Sequence, residues 1–435
     1  MSLKFLELHR LEQGECLVLA DESGKELLMA DCGGLTGGPL DEWGQGASRV
    51  APSLLERYRR IEKRTFLLSH YHRDRFSAMQ DILLEDKNYF SAVFCPASPC
   101  DRRGHPLLLE YGIFMEVFLK DGPGYDAAAA APLYLFSEAP GYPSLESLRL
   151  LRAGDTFSVG NVLYEALWPE QKKYPFGELF AAAVEEMNVC VSSPFLPPEA
   201  ARFRQWKEEF CREWLKCGEA PSKDAWERGK ELLAQLPVLR EELSSMPFAP
   251  DIREILNRPV TRSAYRWEAD GASLVFHNRR VMEASLDDIL LTGDATPETM
   301  DRISSKLYEG YFAAKVPGRG LPSHWSHVFS EISCQHLLIS GPSRAEGEEA
   351  IAGEYLELSS MRHCTFPEAC RWYRASGRSC NRMNVCYDLS GQPALSIKCP
   401  FVNGEKPDTC GCRIFIVSET GVRSCLCDGL PAAIH

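Results

Sequence analysis

Long apolar runs are absent from this sequence of 435 residues. A helix that crosses a membrane needs about 20 predominantly apolar residues, and no stretch approaches that length, so we expect no membrane span. The opening stretch, MSLKFLELHR, has charges scattered through it and lacks the apolar segment of a secretory signal. Together these two absences predict a cytoplasmic protein.

Positive charge is also in short supply. The chain has 48 Lys and Arg residues against 61 Asp and Glu residues, which gives a formal net charge of −13. This balance disfavours a protein that holds nucleic acid by bulk electrostatics, although it leaves room for a local basic groove. The length predicts two domains or one heavily decorated domain, because a single core rarely grows this large.

Cysteine, in contrast, is abundant, with 17 residues in the chain. Without a secretory signal, we expect reduced and mostly buried thiols first, metal binding second and structural disulfides third. The last 72 residues are slightly basic and contain nine of the cysteines: Cys364, Cys370, Cys380, Cys386, Cys399, Cys410, Cys412, Cys425 and Cys427. This change in composition predicts a main domain at residues 1–355 and a Cys-rich C-terminal module at residues 356–435.

The main domain alternates between strand and helix patterns. CLVLADESGKELLMADCGG predicts a hairpin, RTFLLSH a short buried strand and FSAMQDILLE a helix. Strands that alternate with helices favour a layered α/β architecture. Between about residues 196 and 262 the pattern becomes helical: one helix carries Phe203, Trp206, Phe210 and Trp214, and a run of leucines marks a second. We therefore expect a two-helix insertion in this region.

Potential metal ligands follow the predicted strand RTFLLSH. In HYHRDR, His70, His72 and Asp74 alternate along a turn, so both imidazoles can face one ion while the carboxylate reaches a second ion or orients a water. Imidazole and carboxylate are the usual ligands of hydrolytic zinc or manganese sites. Two exposed histidines in a loop are the alternative. Much later, DDILLTGDAT ends an apolar strand at Asp294, which could bridge two ions or cap the next helix.

The order of these segments resembles the metallo-β-lactamase fold superfamily, most closely the soluble hydrolase domains of bacterial DNA-uptake (competence) channel proteins. GECLVLADESGKELLMADCGG is similar to the opening strands, FLLSHYHRDR to the His-x-His-x-Asp-His signature, and LRAGDTFSVGNVLYEALWP to a Gly-Asp strand pair. SLVFH with DDILLTGDA resembles the strands that carry a bridging aspartate, and FAAKVPGRGLPSHWS resembles a segment that usually reads Lys-Val-Pro-His-His-Gly-Ser. Over residues 10 to 345, the resemblance implies an αββα sandwich with metal ligands on loops along one edge.

Two positions depart from the family pattern. Arg75 stands where the signature has its last histidine, and Gly318-Arg319 replace the later pair of histidines. The metal ligands that the resemblance leaves in place are His70, His72, Asp74 and Asp294. An arginine does not ligate a metal, and its fixed charge repels a second ion.

These departures leave two interpretations open. In the first, the site keeps Zn²⁺ or Mn²⁺, as one or two ions, with the remaining ion held by His70, His72 and Asp294. His324 or His327 of LPSHWSH could fill a further ligand position after a short loop shift. Arg75 then replaces the charge of a lost ion and binds phosphate. In the second, the site no longer binds metal firmly, and the fold serves as a binding or assembly module. Both interpretations are compatible with the motif residues.

The first interpretation predicts a metal-dependent hydrolase acting on a phosphodiester or another phosphate-bearing substrate, either a small molecule or a nucleic acid. Asp74 would orient or deprotonate the attacking water, and Arg75 or Arg319 would offset the charge of the phosphate. The second predicts a catalytically inactive scaffold in a multiprotein assembly. A third hypothesis, hydrolysis of thioesters or lactams, is disfavoured by the positive charge expected around the site, which would include Arg73 and Lys315.

The C-terminal module contains a possible structural zinc site. Two pairs, Cys410-x-Cys412 and Cys425-x-Cys427, flank RIFIVSETGVRS, which predicts a hairpin with its turn at Glu-Thr-Gly. Four thiolates at the two ends of a hairpin could hold zinc, although the segment lacks the Cys-x-x-Cys pairs of a zinc ribbon. Buried thiols without metal are the alternative. We also expect that a protein partner could dock through this module.

Overall fold

The computed structural model describes residues 3–34, 51–340, 351–364, 411–416 and 423–428, apart from positions 10, 12–13, 22, 53, 121, 138–139, 145, 220–221, 281–287 and 359. Its strands are β1 (Leu3–Leu8), β2 (Glu15–Asp21), β3 (Glu26–Gly33), β4 (Lys63–Leu67), β5 (Ala92–Pro96), β6 (Leu148–Leu151), β7 (Thr156–Val159), β8 (Val162–Trp168), β9 (Val275–Asn278), β10 (Ile289–Leu291), β11 (Gly310–Lys315), β12 (Ser333–Ile339), β13 (Met361–Cys364), β14 (Gly411–Ile416) and β15 (Arg423–Asp428).

The α-helices are α1 (Arg73–Glu85), α2 (Leu107–Leu119), α3 (Ala127–Ala130), α4 (Glu178–Cys190), α5 (Pro198–Glu219), α6 (Lys223–Leu233), α7 (Leu236–Ser244), α8 (Ala249–Asn257), α9 (Pro259–Gly271), α10 (Pro297–Ile303) and α11 (Val328–Glu331). Short 3-10 helices cover Ala131–Phe136, Ser304–Lys306, Pro317–Gly320, Pro322–His324 and Gly353–Leu356. Within the described parts of the chain, no helix combines the length and the apolar character that crossing a membrane would require.

The strands form two sheets. The first has the order β15-β14-β1-β2-β3-β4-β5-β6, and the second has the order β13-β12-β11-β10-β9-β8-β7. Strands β3 to β6 run parallel in the first sheet, and β10 to β13 run parallel in the second. Parallel neighbours need crossover connections, and in the first sheet α1 connects β4 to β5. The loops after the parallel strands therefore gather at one edge of each sheet.

An apolar layer joins the two sheets face to face. Leu28 and Phe94 of the first sheet and Phe157, Tyr164 and Phe276 of the second belong to one buried cluster. The rings of Phe94 and Phe157 lie 4.6 Å apart, and those of Phe157 and Tyr164 lie 5.2 Å apart. Two other clusters pack helices against the outer face of each sheet. This arrangement is the αββα sandwich that the sequence predicts.

The helical region between the strands β8 and β9 is larger than expected. Six helices, α4 to α9, occupy residues 178 to 271 instead of two helices at residues 196 to 262. The first predicted helix is confirmed as α5, where Phe203 and Trp214 are buried. The second is divided into α6 and α7, because Pro237 lies in the first turn of α7 and favours a new start there.

The two strands of the predicted C-terminal hairpin are confirmed as β14 and β15, whereas its expected turn at Glu-Thr-Gly lies outside the described residues. These strands pair antiparallel, with Cys412 opposite Cys427, and β14 pairs with β1 at the edge of the first sheet. Cys410 lies outside the described residues, so the zinc site of four cysteines stays a prediction, and so does the boundary at residue 355. The eight cysteines from Cys16 to Cys334 are free thiols and six of them are buried, as expected.

Candidate metal centre

The turn that carries the two histidines joins the end of β4 to the start of α1. Leu67 ends the strand, and His72 is the N-cap of the helix. Within the turn, the backbone N–H of His72 donates to the carbonyl of His70 at 3.0 Å. Because β4 lies between β3 and β5 in the parallel part of the sheet, this turn opens at the edge where loops gather. Both imidazoles are thereby held at the same point.

Four side chains bring potential ligand atoms together at this point. The ligand atoms of His70, His72, Asp270 and Asp294 all lie within 4.8 Å of one another. His70 Nε2 is 3.0 Å from His72 Nδ1, 3.6 Å from Asp270 Oδ1 and 3.5 Å from Asp294 Oδ2. The distance from His72 Nδ1 to Asp270 Oδ1 is 3.4 Å.

These distances match the spacing of ligands around one ion. Zinc binds nitrogen and oxygen at about 2.0–2.1 Å, and the edge of a tetrahedron is about 1.6 times that length, so neighbouring ligands lie about 3.3 Å apart. The four side chains therefore fit one divalent metal ion. The expected ligands His70, His72 and Asp294 are brought together by the fold.

Asp270 is the ligand candidate that sequence reasoning missed. It lies in the last turn of α9, next to Gly271, whose carbonyl accepts hydrogen bonds from Trp168 Nε1 at 2.7 Å and Thr299 Oγ1 at 2.8 Å. A carboxylate at a helix C-terminus is electrostatically unfavourable, and a bound cation would offset that cost. The available signal was the segment ADGASLVF, which puts a carboxylate directly before a predicted strand.

His324 approaches the cluster from the far side of Asp270. Its Nε2 is 3.4 Å from Asp270 Oδ2, and its ring centre is 5.3 Å from that of Trp267. The Nε2 atom is buried and has no hydrogen-bond partner among the described residues, and the same holds for Nε2 of His72. From this position His324 can supply a further ligand or orient the carboxylate of Asp270.

Burial favours the neutral form of His70, which is the form that ligates metals, and two serine hydroxyls lie against its ring. Its Nδ1 lies 3.0 Å from Ser69 Oγ and 3.2 Å from Ser273 Oγ. Burial and the neighbouring His72 lower the pKa of His70 well below its ordinary value. Asp31 fixes Ser69, accepting from its backbone N–H and its hydroxyl at 2.7 Å each, and burial raises the pKa of Asp31 to about 7.

Arg75 is completely buried within an ion-pair network. Its guanidinium donates to Glu15 and to both carboxylate oxygens of Asp294. Lys315 Nζ joins the network, 3.0 Å from Glu15 Oε2 and 3.5 Å from Asp294 Oδ1. Burial alone would raise the pKa of Asp294, but Arg75 and Lys315 lower it well below its usual range. Asp294 is therefore ionised at neutral pH.

Arg319 pairs with Asp74 on the same side of the site. It has a φ of 59° between Gly318 at 53° and Gly320 at 82°, and a non-glycine residue in this region costs about 1–3 kcal/mol. A Cβ atom at Gly318 would lie 2.1 Å from the ring of His324, so only glycine lets these two parts of the loop approach. The ion pair with Asp74 helps to hold this conformation.

The structure thus places the three expected catalytic residues, Asp74, Arg75 and Arg319, at one edge and in ion pairs. Asp74 is not one of the four clustered ligands, and its contact with Arg319 disfavours direct binding of an ion. The catalytic roles of these residues stay predictions. Three carboxylates pair with three cations in the network: Glu15, Asp74 and Asp294 with Arg75, Lys315 and Arg319. Asp270 lies instead against the imidazoles of His70, His72 and His324, so a divalent ion would offset its charge.

Comparisons with known proteins found similar chains among the solved structures. No protein-family profile and no curated protein matches the chain. A metallo-beta-lactamase family protein from Thermus thermophilus matches with 15% identity and a TM-score of 0.22, over 38% of this chain and 51% of that one. The chain therefore spans about half the length of this first relative.

Two further solved structures are matched over more of their length. The Rm3 metallo-beta-lactamase has 15% identity and a TM-score of 0.22, over 55% of this chain and 91% of that one. A subclass B3 metallo-beta-lactamase isolated from a soil metagenome library has 12% identity and a TM-score of 0.21, over 58% of this chain and 96% of that one. The assignment of the fold rests on the strand order and packing of the chain, and that of the site on its geometry.

Proposed function

We propose that the protein is a metal-dependent hydrolase that uses a single divalent ion, Zn²⁺ or Mn²⁺. The observation that carries this proposal is the cluster of His70, His72, Asp270 and Asp294, whose ligand atoms lie within 4.8 Å of one another. When bound, the ion would lower the pKa of a coordinated water and polarise the bond to be broken. Because Arg75 occupies both oxygens of Asp294, the two histidines and Asp270 would be the main ligands.

The number of ions follows from the position of Arg75. In the two-metal scheme implied by the family resemblance, a histidine at this place and the bridging Asp294 would both contact a second ion. Here the guanidinium of Arg75 contacts Asp294 directly and supplies a positive charge without a metal. A second ion would meet both Arg75 and Lys315, which repel it. One ion is therefore the stoichiometry that we expect.

For the substrate we propose a phosphodiester or another phosphate-bearing compound, a nucleotide or nucleic acid included. Of the three cations in the network, Arg319 is the accessible one, since its side chain is 19% exposed against 0% for Arg75 and 2% for Lys315. A phosphate that binds Arg319 would compete with Asp74 for the guanidinium. Asp74, once released, would be free to accept a proton from the attacking water. The sequence resemblance to DNA-uptake hydrolase domains supports the same class of substrate.

A catalytically inactive binding protein is the alternative, and one observation favours it. Arg75 and Arg319 already neutralise Asp294 and Asp74, so the fold does not need an ion to stabilise these two carboxylates. Such a protein would act as a scaffold, with the C-terminal region as a docking module for a protein partner. Metal content and turnover separate the two functions.

The first experiment measures metal per chain by elemental mass spectrometry. We would compare the wild type with His70→Ala/His72→Ala, with Asp270→Asn and with a variant truncated after residue 360. Asp301→Asn is the matched control, because Asp301 is a half-exposed carboxylate that pairs with His327, at 3.5 Å. We expect close to one ion in the wild type, the control and the truncated variant, and less than a tenth of that in the other two. Metal that disappears only with the truncation would be structural and would contradict the proposed site.

The second experiment tests turnover with three chromogenic substrates: bis(4-nitrophenyl) phosphate, a β-lactam and a thioester. We expect hydrolysis of the phosphodiester alone, and a loss of at least about 100-fold in kcat/KM for Asp74→Asn and Asp294→Asn. Hydrolysis of the lactam or thioester instead would retain the hydrolase and reject the substrate class. Stoichiometric metal without turnover of any phosphate ester, nucleic acids included, would favour the scaffold.

A further inference from the structure

A cavity of about 440 Å³ lies at the side of the sandwich and away from the metal cluster. We call it the edge cavity; its walls come from β5, β6, β7, α5 and α6, and its lining includes Phe94, Leu148, Phe157, Trp214 and Trp226. β6 and β7 are the last strands of the first and second sheet, so the inner layer of the sandwich opens here. The volume falls within the range of small-molecule sites, about 300–1,000 Å³.

Aromatic rings form much of the wall of the edge cavity. Trp214 of α5 is 2% exposed and Trp226 of α6 is 3% exposed. Phe136 lies between them, with ring centres 6.4 Å and 5.2 Å away respectively. Rigid rings of this kind offer a flat ligand apolar contact with little loss of side-chain entropy. A planar aromatic molecule therefore suits the walls.

The neighbouring edge strand offers little to an extended peptide. β6 has only four residues, and the carbonyl of Leu148 already accepts a hydrogen bond from Arg149 Nη1 at 2.6 Å. The backbone N–H of Leu148 donates to the carbonyl of Ser144 at 3.0 Å. Proteins use short edge strands and charged side chains to prevent another strand from pairing with the edge of a sheet. The cavity is thus better suited to a small molecule than to an added strand.

The polar groups of the edge cavity disfavour a negatively charged ligand. Two carboxylates, those of Glu146 and Asp155, line the cavity, and Arg149 is the one cation among the lining residues. Arg149 Nη1 is engaged with the backbone carbonyls of Glu146 and Leu148, at 3.1 Å and 2.6 Å. These bonds to neutral carbonyls leave the charge of Arg149 in place, so the lining residues have a net charge of −1, and Arg152 lies 3.9 Å from Asp155 outside the lining. This balance favours a neutral or cationic ligand over an anion.

The size of the edge cavity, its aromatic lining residues and its two carboxylates together define the kind of ligand that it could hold. We propose that the edge cavity binds a planar aromatic molecule that is neutral or positively charged.

Three indole compounds that differ in charge test this proposal by isothermal titration calorimetry on the full-length chain. Indole is neutral, tryptamine is a cation and indole-3-acetate is an anion, so the ring is constant. We expect indole and tryptamine to bind, and indole-3-acetate to bind at least tenfold more weakly than tryptamine. The absence of binding by both indole and tryptamine, or equal affinity for all three, would overturn the proposal.

Paired variants locate the site. Trp226→Leu should weaken tryptamine binding at least tenfold, whereas Trp206→Leu, a buried tryptophan of the same helical layer outside the lining residues, should leave it unchanged. Glu146→Gln/Asp155→Asn should remove the preference for tryptamine over indole-3-acetate, and this variant decides the question even where a tryptophan variant fails to fold. Unchanged selectivity would overturn the proposal. His70→Ala/His72→Ala should bind tryptamine normally, since the two sites share no residue.

Discussion

At the scale of single residues, Arg75 is the side chain on which most of the site depends. It is fully buried between Glu15 and Asp294, and Lys315 approaches the same two carboxylates. A buried ion pair often contributes little net stability when it is replaced as a whole, but the loss of one partner leaves a charge without compensation. Arg75 therefore holds two carboxylates in their ionised state inside the protein.

Arg75→Met should destabilise the protein by about 3–5 kcal/mol, because Glu15 and Asp294 would share only Lys315. Urea denaturation of the wild type and variant in the presence of a chelator measures this difference without a contribution from metal. Arg75→Met/Glu15→Gln should recover part of the loss, because the double variant removes one of the unpaired charges. A single variant as stable as the wild type would show that the network contributes nothing.

Because the pKa of His277 is lowered, we expect the stability of the protein to depend on pH in a way that does not involve the metal cluster. Its Nδ1 lies 2.9 Å from Tyr311 Oη and its ring stacks on Tyr308 with centres 4.2 Å apart. Burial, with a smaller effect of Arg280, lowers the pKa of His277 to about 4. Between pH 6.5 and pH 4, the unfolded chain thus binds a proton that the folded chain excludes, so this residue lowers stability as the pH falls.

His277→Phe should reduce this dependence. At pH 7 we expect the variant to be about 1 kcal/mol less stable, because it loses the hydrogen bond to Tyr311. Near pH 4 the variant should be as stable as the wild type or more stable. The wild type loses about 1.4 kcal/mol of stability for each unit by which the pKa of His277 is lowered, and the variant does not. Chemical denaturation of both proteins at several pH values measures the difference. A constant difference from about pH 7 to about pH 4 would contradict the lowered pKa.

Sequence alone could predict the local part of the candidate site but not its long-range partners. His70, His72 and Asp294 lie at or just after the ends of recognisable apolar strands, so the hydrophobic pattern was enough to predict where they lie in the fold. The pairing of Arg75 with Glu15 joins residues 60 positions apart, and its pairing with Asp294 joins residues 219 positions apart. Contacts of that kind depend on how the two sheets pack. No local pattern in the chain encodes them.

At the scale of elements, two helices that pack closely leave no room for a side chain at the point where they touch. Gly112 lies within α2, and a Cβ atom there would be 2.2 Å from the backbone oxygen of Ala129 in α3. The lack of a side chain is what allows the two helices to touch. Gly218 near the end of α5 differs, because a Cβ atom there would meet its nearest atoms at 3.7 Å.

Gly112→Ala should therefore destabilise the protein by about 1–3 kcal/mol, although alanine has a better helix propensity by about 1 kcal/mol. The matched control Gly218→Ala should change stability by less than about 0.5 kcal/mol or increase it. Thermal denaturation followed by circular dichroism gives both values. A Gly112→Ala variant as stable as the control would show that α2 and α3 move apart at little cost.

The helical region shows where patterns of elements stop being informative. The periodic aromatic residues of α5 predict that helix, because they repeat along one face and are buried. The leucine run shows the same period across α6 and α7, so it conceals the break between them. Local signals mark where each helix begins: the hydroxyl of Ser222 caps α6, and Pro237 lies in the first turn of α7.

At the scale of the whole molecule, the candidate metal centre joins the two halves of the sandwich. His70 and His72 follow β4 of the first sheet, whereas Asp270 precedes β9 and Asp294 follows β10 of the second. An ion held by all four would link elements that belong to different sheets. Its binding should therefore stabilise the packing of the two sheets, and not only the turn at the histidines.

Zinc should raise the thermal stability of the chelator-treated protein, by about 2.7 kcal/mol at a free concentration about 100 times Kd. Asp270→Asn should lose most of this effect, because the amide is a weaker ligand than the carboxylate, while Asp301→Asn should keep it. Differential scanning calorimetry at several zinc concentrations provides the measurement. An equal effect of zinc on both variants would show that the stabilising ion binds elsewhere.

Arg75 also affects how the protein would respond to scarcity of metal. A site that needs two ions loads with the second power of the free metal concentration when both bind weakly, whereas a site that needs one ion loads with the first power. With the guanidinium supplying the second charge permanently, a tenfold fall in free metal would reduce the loaded fraction at most tenfold instead of a hundredfold. In the proposed single-ion site, Arg75 would thus make the loaded fraction less sensitive to a shortage of zinc or manganese.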